Sequence, residues 1–138
     1  MIKVLFVCHG NICRSVMAEY ILKNLDKENK FYVESAATST EEIGSDIYPP
    51  VKEVLDKNSI IYDKHKARQI TSNDYYKYDV IICMDKENLY NLEYILPNND
   101  KTRLLTNYEI DDPWYTRDFD KCFNDIKQAV INFIDENN

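Results

Sequence analysis

The stretch KVLFVCHGNICRSVMAEYILKNL, Lys3 to Leu25, decides how this 138-residue chain is read. An apolar run stops at Cys8, Gly10 and Asn11 follow, and Arg14 and Ser15 stand where the pattern turns helical. The run is continuous rather than alternating, which marks a strand buried on both faces. From Ser15, a suitable N-cap, a helix is expected to about Leu25 or Asp26, with Val16, Ala18, Tyr20, Ile21, Leu22 and Leu25 on its apolar face. Between strand and helix lies a loop with free backbone N–H groups beside a helix N-terminus. Such a place suits an anion.

Working outward, KFYVESA reads as a second strand, DVIICM as a third and TRLLTNY as a fourth, shorter one. Helices are expected at PPVKEVLDKN, which opens on prolines, at DKENLYNLEYIL, and as a short turn at TSNDYY with a Thr, Ser or Asn cap. From Phe119 the apolar residues Phe119, Cys122, Phe123, Ile126, Val130, Phe133 and Ile134 recur every three or four positions, a long amphipathic helix. No linker or repeat interrupts the chain. It reads as one α/β domain over residues 1–138: a central four-stranded parallel sheet, helices on both faces, and a phosphate-binding loop after the first strand. Ligands of such folds sit at the carboxyl ends of the strands, where Cys8 lies.

A net charge of −7 argues against a nucleic-acid partner, which needs a basic face. The apolar N-terminal segment, about five residues before Cys8, is too short for a signal peptide or a membrane span, so a cytoplasmic protein without membrane contact is expected. Cys8, Cys13, Cys83 and Cys122 match no zinc spacing, and with only His9 and His65 beside them neither a metal nor another cofactor is expected.

A thiol attacks only as thiolate, and the helix N-terminus, Arg14 and the converging N–H groups all favour that state at Cys8. The same features bind a phosphate dianion. Gly10 lets the loop turn, Asn11 tolerates a positive φ, and Arg14 can fork two phosphoryl oxygens, with the Cys8 sulfur in line below phosphorus. C-x5-R alone is a weak signal, equally compatible with a buried cysteine and a surface arginine. The strand before it and the Gly-Asn and Ser around it carry the reading. A leaving-group acid is sought in IDDPWY, where Asp111 and Asp112 stand side by side near Trp114 and Tyr115. Like charges partly desolvated by aromatics would keep one carboxyl protonated, although Asp-Pro read alone is first a turn element.

Taken together, VCHGNICRS, ESAATS, HKARQIT, IICMDKENL and DPWY, in this order over nearly the whole chain, resemble the low-molecular-weight protein tyrosine phosphatases. The resemblance implies a phosphotyrosine or small aryl phosphate substrate, a phosphocysteine intermediate and a metal-independent reaction in a monomer. It makes Cys8 the nucleophile, Arg14 the phosphate clamp and Asp112 the general acid and base. His9, Gly10, Asn11, Ile12, Cys13, Arg14 and Ser15 become the phosphate-binding loop, supported by Asn11, Ser15, Ser35 and His65. On its residues alone His65 is a surface histidine. Asp85 matches a family aspartate near the loop, and Cys13 matches a reversible disulfide partner of Cys8. Cys83 and Cys122 remain core residues.

The chain departs from the family's pattern in four places. His9 stands where Leu is frequent, and Val16 where Pro follows the Ser. Glu41 and Glu42 replace an aromatic cleft wall, and Trp114 with Tyr115 form the opposite wall where two tyrosines are frequent. Glu41, Trp114 and Tyr115 are therefore the expected substrate cleft, and the acidic wall implies basic residues flanking the phosphotyrosine. Three rival readings are a protein arginine phosphatase, which carries Thr at the position of Ile12, an arsenate reductase, and an idle phosphate-binding scaffold. The reductase needs a closely spaced cysteine pair that Cys83 and Cys122 do not make.

Overall fold

The computed structural model describes residues 1–138. Its elements are β1 (Ile2–Cys8), α1 (Arg14–Leu25), β2 (Phe31–Ala37), α2 (Pro49–Lys57), α3 (Asp74–Lys77), β3 (Val80–Cys83), α4 (Lys86–Ile95), β4 (Thr102–Leu104), α5 (Pro113–Thr116) and α6 (Phe119–Glu136). The four strands form one parallel sheet in the order β2-β1-β3-β4, as expected from the sequence. β4 is limited to three residues, shorter than TRLLTNY implied.

β1 is the axis of the sheet, and Val4 to Val7 are wholly buried. Because successive side chains point to opposite faces, one apolar run feeds two cores. Val4, Phe6 and Cys8 join α1, α2 and α6 in the larger core, where Met17, Ile21, Leu55, Phe123 and Val130 interlock. Leu5 and Val7 join Ile70, Tyr78, Ile81 and Leu92 in the smaller core on the other face. The face of α6 that repeats every three or four residues is the buried one, from Cys122 to Phe133. Within α2, Pro49 and Pro50 occupy the first helical positions, with Tyr48 held extended before them.

The chain leaves β1 toward β2 on one side and places β3 on the other. The gap between the carboxyl ends of β1 and β3 is thus a topological switch point, where open α/β sheets hold their ligands. The loop after Cys8 occupies it. Asp85, just past β3, caps α4 by accepting from the Asn88 N–H at 2.8 Å. No helix is long and apolar enough to cross a membrane.

Three local expectations need correction or refinement. Ser15 is not the cap of α1: Cys13 holds that position without a side-chain bond, and Ser15 is the second helical residue, its hydroxyl turned to Cys8 and Asn11. Asn73 stands at the cap position of α3, one of the expected residue types, but not with a capping side-chain bond. The Asp74 carboxylate accepts from the Thr71 N–H instead. DPWY does not stay a simple turn: Asp112 caps the short α5 through the Trp114 N–H at 3.0 Å.

Phe123 is about 1% exposed and ties α6 to the core beneath β1. Phe123→Ala is expected to cost about 3–5 kcal/mol of unfolding free energy, read from urea denaturation.

Candidate active site

The loop from Cys8 to Ser15 wraps its own sulfur. Cys8 Sγ accepts from the Asn11 N–H at 3.3 Å and the Ser15 N–H at 3.4 Å, and lies 3.1 Å from the Ser15 hydroxyl. Two backbone N–H groups and one hydroxyl thus converge on this sulfur. The N–H groups of His9, Gly10, Ile12 and Cys13 have no acceptor within the protein, so four more donors are available around the same point. Gly10 already meets the Glu42 side chain where a Cβ would sit, at 3.5 Å.

Asn11 keeps the loop in this shape. Its backbone is left-handed, φ +61°, which Asn accepts better than other side chains. Its amide group donates to Ser15 Oγ at 2.8 Å and Ser35 Oγ at 2.9 Å, and its side-chain carbonyl accepts from the Arg68 N–H. His65 Nε2 lies 2.7 Å from the Asn11 carbonyl. A carbonyl can only accept, so that ring nitrogen carries the hydrogen. Asn11, Ser15, Ser35 and His65 thus form the connected group expected around the loop.

The network runs one step further than the sequence indicated. The Ser35 hydroxyl donates to Glu19 at 2.5 Å, and Glu19 is paired in turn with Lys23 at 2.5 Å. Glu19 lies one turn after Ser15 on the same helix and is only about 7% exposed. A carboxylate inside the apolar pattern of α1 was the available signal.

Arg14 is buried, and its guanidinium gathers partners from two distant segments. It donates to Asp85 Oδ2 and to the Ile110 carbonyl, both at 2.8 Å, and lies 3.5 Å from Asp112 Oδ2. Burial works to lower the Arg14 pKa, but the neighbouring Cys8 sulfur and the Asp112 and Asp85 carboxylates outweigh it and hold it above the usual range. Asp85, left without a role in the sequence reading, orients this side chain.

The two adjacent aspartates do not share a site, contrary to expectation. Asp111 is exposed with its carboxylate 3.9 Å from Lys121 Nζ, whereas Asp112 turns inward to Arg14. Their backbone directions differ because Asp112 must cap α5.

Most of these residues line a cleft open to solvent. Cys8, Cys13 and Arg14 form its floor, Ile12 and Asp112 its sides, and His9, Glu41, Glu42, Trp114 and Tyr115 its rim. On the acidic rim, His9 Nε2 is 2.9 Å from Glu41 Oε2. On the aromatic one, Trp114 packs on Tyr48 with ring centroids 4.9 Å apart. All the expected cleft residues therefore meet at one place. Burial pushes the Cys13 thiol well above its ordinary range, and takes Cys83 and Cys122 up to about 12. The last two are core residues, as expected.

Comparison with known proteins agrees with this geometry. The family model described as "Low molecular weight phosphotyrosine protein phosphatase" matches residues 3–137. A protein of that name from Gallus gallus is 36% identical over 149 aligned residues, covering 96% of this chain and 94% of its own. The Bacillus subtilis low molecular weight protein-tyrosine-phosphatase YfkJ is 36% identical, covering 92% of this chain and 90% of its own. Among solved structures, SP-PTP from Streptococcus pyogenes superposes with a TM-score of 0.95 at 35% identity, over 99% of this chain and 93% of that one. Vibrio vulnificus Wzb in complex with benzylphosphonate gives 0.90 at 31% identity, over 98% of each chain. The chain belongs to the low molecular weight phosphotyrosine protein phosphatases, a family of hydrolases.

Ser35 is the joint between Asn11 and Glu19. Ser35→Ala removes one acceptor from the buried Asn11 amide and one donor from the buried Glu19 carboxylate, and should cost about 1–3 kcal/mol in thermal or urea unfolding. A loosened loop should also lower kcat about tenfold, equivalent to about 1.4 kcal/mol of lost transition-state stabilisation.

Proposed function

We propose that this chain hydrolyses phosphotyrosine and small aryl phosphates through a phosphocysteine intermediate. The observation that carries the reading is the sulfur of Cys8 beneath two backbone N–H groups and beside the Ser15 hydroxyl, with the Arg14 guanidinium and the Asp112 carboxylate opening into the same cleft. The phosphoryl group is held by the free N–H groups of His9, Gly10, Ile12 and Cys13, and Arg14 forks two of its oxygens. Cys8 Sγ attacks phosphorus in line, the bond to the phenolic oxygen breaks, and Asp112 delivers its proton to that oxygen. In the second step Asp112 takes a proton from the water that attacks phosphocysteine. Inorganic phosphate leaves, and the Cys8 thiolate returns under the Ser15 hydroxyl.

No metal enters this scheme, since Arg14 and the loop amides supply the positive charge facing the phosphoryl oxygens. The substrate ring would lie between Trp114, Tyr115 and the buried side chain of Ile12, and this apolar contact favours an aryl ester over a phosphoguanidinium. The benzylphosphonate bound by the Vibrio vulnificus relative is a ligand of that shape. We assign the protein to the cytoplasm as a monomer, where Cys8 stays reduced. Cys13, on the same cleft floor, is the partner for a reversible disulfide: peroxide oxidises Cys8 to the sulfenic acid, and the Cys13 thiol displaces water from it.

With EDTA present, wild type should hydrolyse p-nitrophenyl phosphate and Cys8→Ser should not. Retained turnover in Cys8→Ser would remove the nucleophile from the scheme. Phosphotyrosine peptides should be cleaved faster than phosphoarginine peptides, and the reverse ratio would establish the arginine phosphatase instead. Asp112→Asn should lower kcat by about 10²–10⁴ for phenyl phosphate and far less for p-nitrophenyl phosphate, whose leaving group needs little protonation. Equal losses would shift attention to Asp111.

The rim generates a separate expectation. Peptides with Lys or Arg beside the phosphotyrosine should show the higher kcat/KM, and Glu41→Gln should reduce that preference about two- to fivefold, the scale of an exposed ion pair. Equal rates on acidic and basic peptide series would show that the rim charge does not select.

A further inference from the structure

Between α5 and α6 the chain passes through Arg117 in a left-handed conformation, φ +62° and ψ +12°, which closes α5 by donating its N–H to the Pro113 carbonyl at 2.9 Å. Left-handed backbone is uncommon for a long unbranched side chain. At Asn11 the same conformation is matched by side-chain bonds that the loop needs. Arg117 likewise has a reason in its side chain.

The guanidinium of Arg117 sits among three aromatic faces. Its central carbon is 5.3 Å from the ring centre of Tyr48, 5.9 Å from Trp114 and 5.2 Å from Phe119. It donates to the Tyr48 hydroxyl at 2.9 Å and to the Trp114 carbonyl at 3.3 Å. Its partners are oxygens and ring faces rather than a carboxylate. The rings themselves are packed, Tyr48 against Trp114 at 4.9 Å and against Phe119 at 6.0 Å.

Each ring belongs to a different part of the molecule. Tyr48 precedes α2, Trp114 is in α5 and Phe119 opens α6. Arg117 therefore staples the one-turn helix capped by Asp112 onto the body of the protein. Asp112 is tied to that helix at both ends of its own side: its carboxylate accepts from the Trp114 N–H, and its carbonyl from the N–H groups of Tyr115 and Thr116. Moving α5 moves Asp112 and the Trp114 wall together.

We propose that Arg117 is a positioning residue for catalysis. Its cation, held over Tyr48, Trp114 and Phe119, keeps the acid loop docked so that Asp112 faces the leaving oxygen and Trp114 faces the substrate ring. The proposal rests on the reading of Asp112 as the general acid.

Its test uses the chain's only tryptophan, Trp114, as a reporter that needs no turnover. Arg117→Gly is the first variant, because glycine adopts a φ of +62° without strain and so removes the staple while relieving the backbone. The expected result is Trp114 emission at longer wavelength with easier acrylamide quenching, and thermal unfolding close to wild type. In the same protein, kcat for phenyl phosphate should fall about tenfold, in line with small misplacements of a catalytic group, while p-nitrophenyl phosphate changes less than about twofold. KM for both should rise as the Trp114 wall loosens. Arg117→Lys, which retains a cation over the rings, should restore most of the leaving-group ratio.

If Arg117→Gly melts early, Arg117→Met decides: it keeps the stem and the backbone conformation demanded of wild type, and deletes only the cation. Unchanged emission would overturn the staple. Changed emission with equal losses for both esters, or no rescue by Lys, would overturn its link to Asp112. Should wild type hydrolyse neither ester, the phosphatase reading fails, and the fluorescence comparison still tests the staple by itself.

Discussion

A nucleophilic sulfur at the buried carboxyl end of β1 is the constraint on which the rest of this structure depends. It requires donors to converge within one short loop, and that convergence requires the chain to turn through a left-handed residue. Asn11 satisfies both conditions at once. Its backbone makes the turn and points an N–H at Cys8, while its amide is held by Ser15 and Ser35 and its carbonyl by His65. The order of donors then propagates outward through Ser35 to Glu19 and Lys23. An interior polar network of this kind is rigid only when every member is satisfied, and here each side chain on the path has a partner.

Around this fixed centre the charges are arranged in tiers. Beneath the phosphate position lies a single buried cation, Arg14, aligned by Asp85 and the Ile110 carbonyl. Further out are two walls of different character, Glu41 and Glu42 with His9 on one side and Trp114 with Tyr115 on the other. The body as a whole carries a net charge of −7. A dianion is thus welcomed only at the floor, where N–H groups and the guanidinium face it.

Most of the fold was legible because its signals are local. Continuous apolar runs marked strands covered on both faces, and the spacing of Phe119 to Ile134 marked α6. The thiol loop was legible because strand, Gly-Asn, Arg and Ser stand together within a few residues. What escaped was set by partners far along the chain. Ser15 fits an N-cap in isolation, yet its hydroxyl belongs to Cys8 and Asn11. Asp111 and Asp112 are neighbours in sequence, but the cap of α5 turns one out and the other in. Glu19 interrupts an apolar helix face, and its meaning appears only when Ser35 of the adjacent strand is beside it. Family resemblance supplied His65 and Ser35, which no spacing rule would have joined to Asn11.

The reach of Arg14 bears on the order in which the protein is made and folded. Its contacts lie 71 residues away at Asp85 and 96 residues away at Ile110. While the chain is being synthesised, the sulfur loop and the first helix emerge early, but the arginine has nothing to align it until the third strand has joined the first. Asp112 arrives later still, once the segment leading into α6 has docked. Loop closures of that length are slow compared with forming one helix, so Cys8 precedes the rest of its site. A ribosome-bound or truncated chain lacking about the last thirty residues would carry the loop without Asp112 or the aromatic wall. Competence to turn over substrate therefore coincides with completion of the whole domain, and a half-made chain presents a thiol but no enzyme.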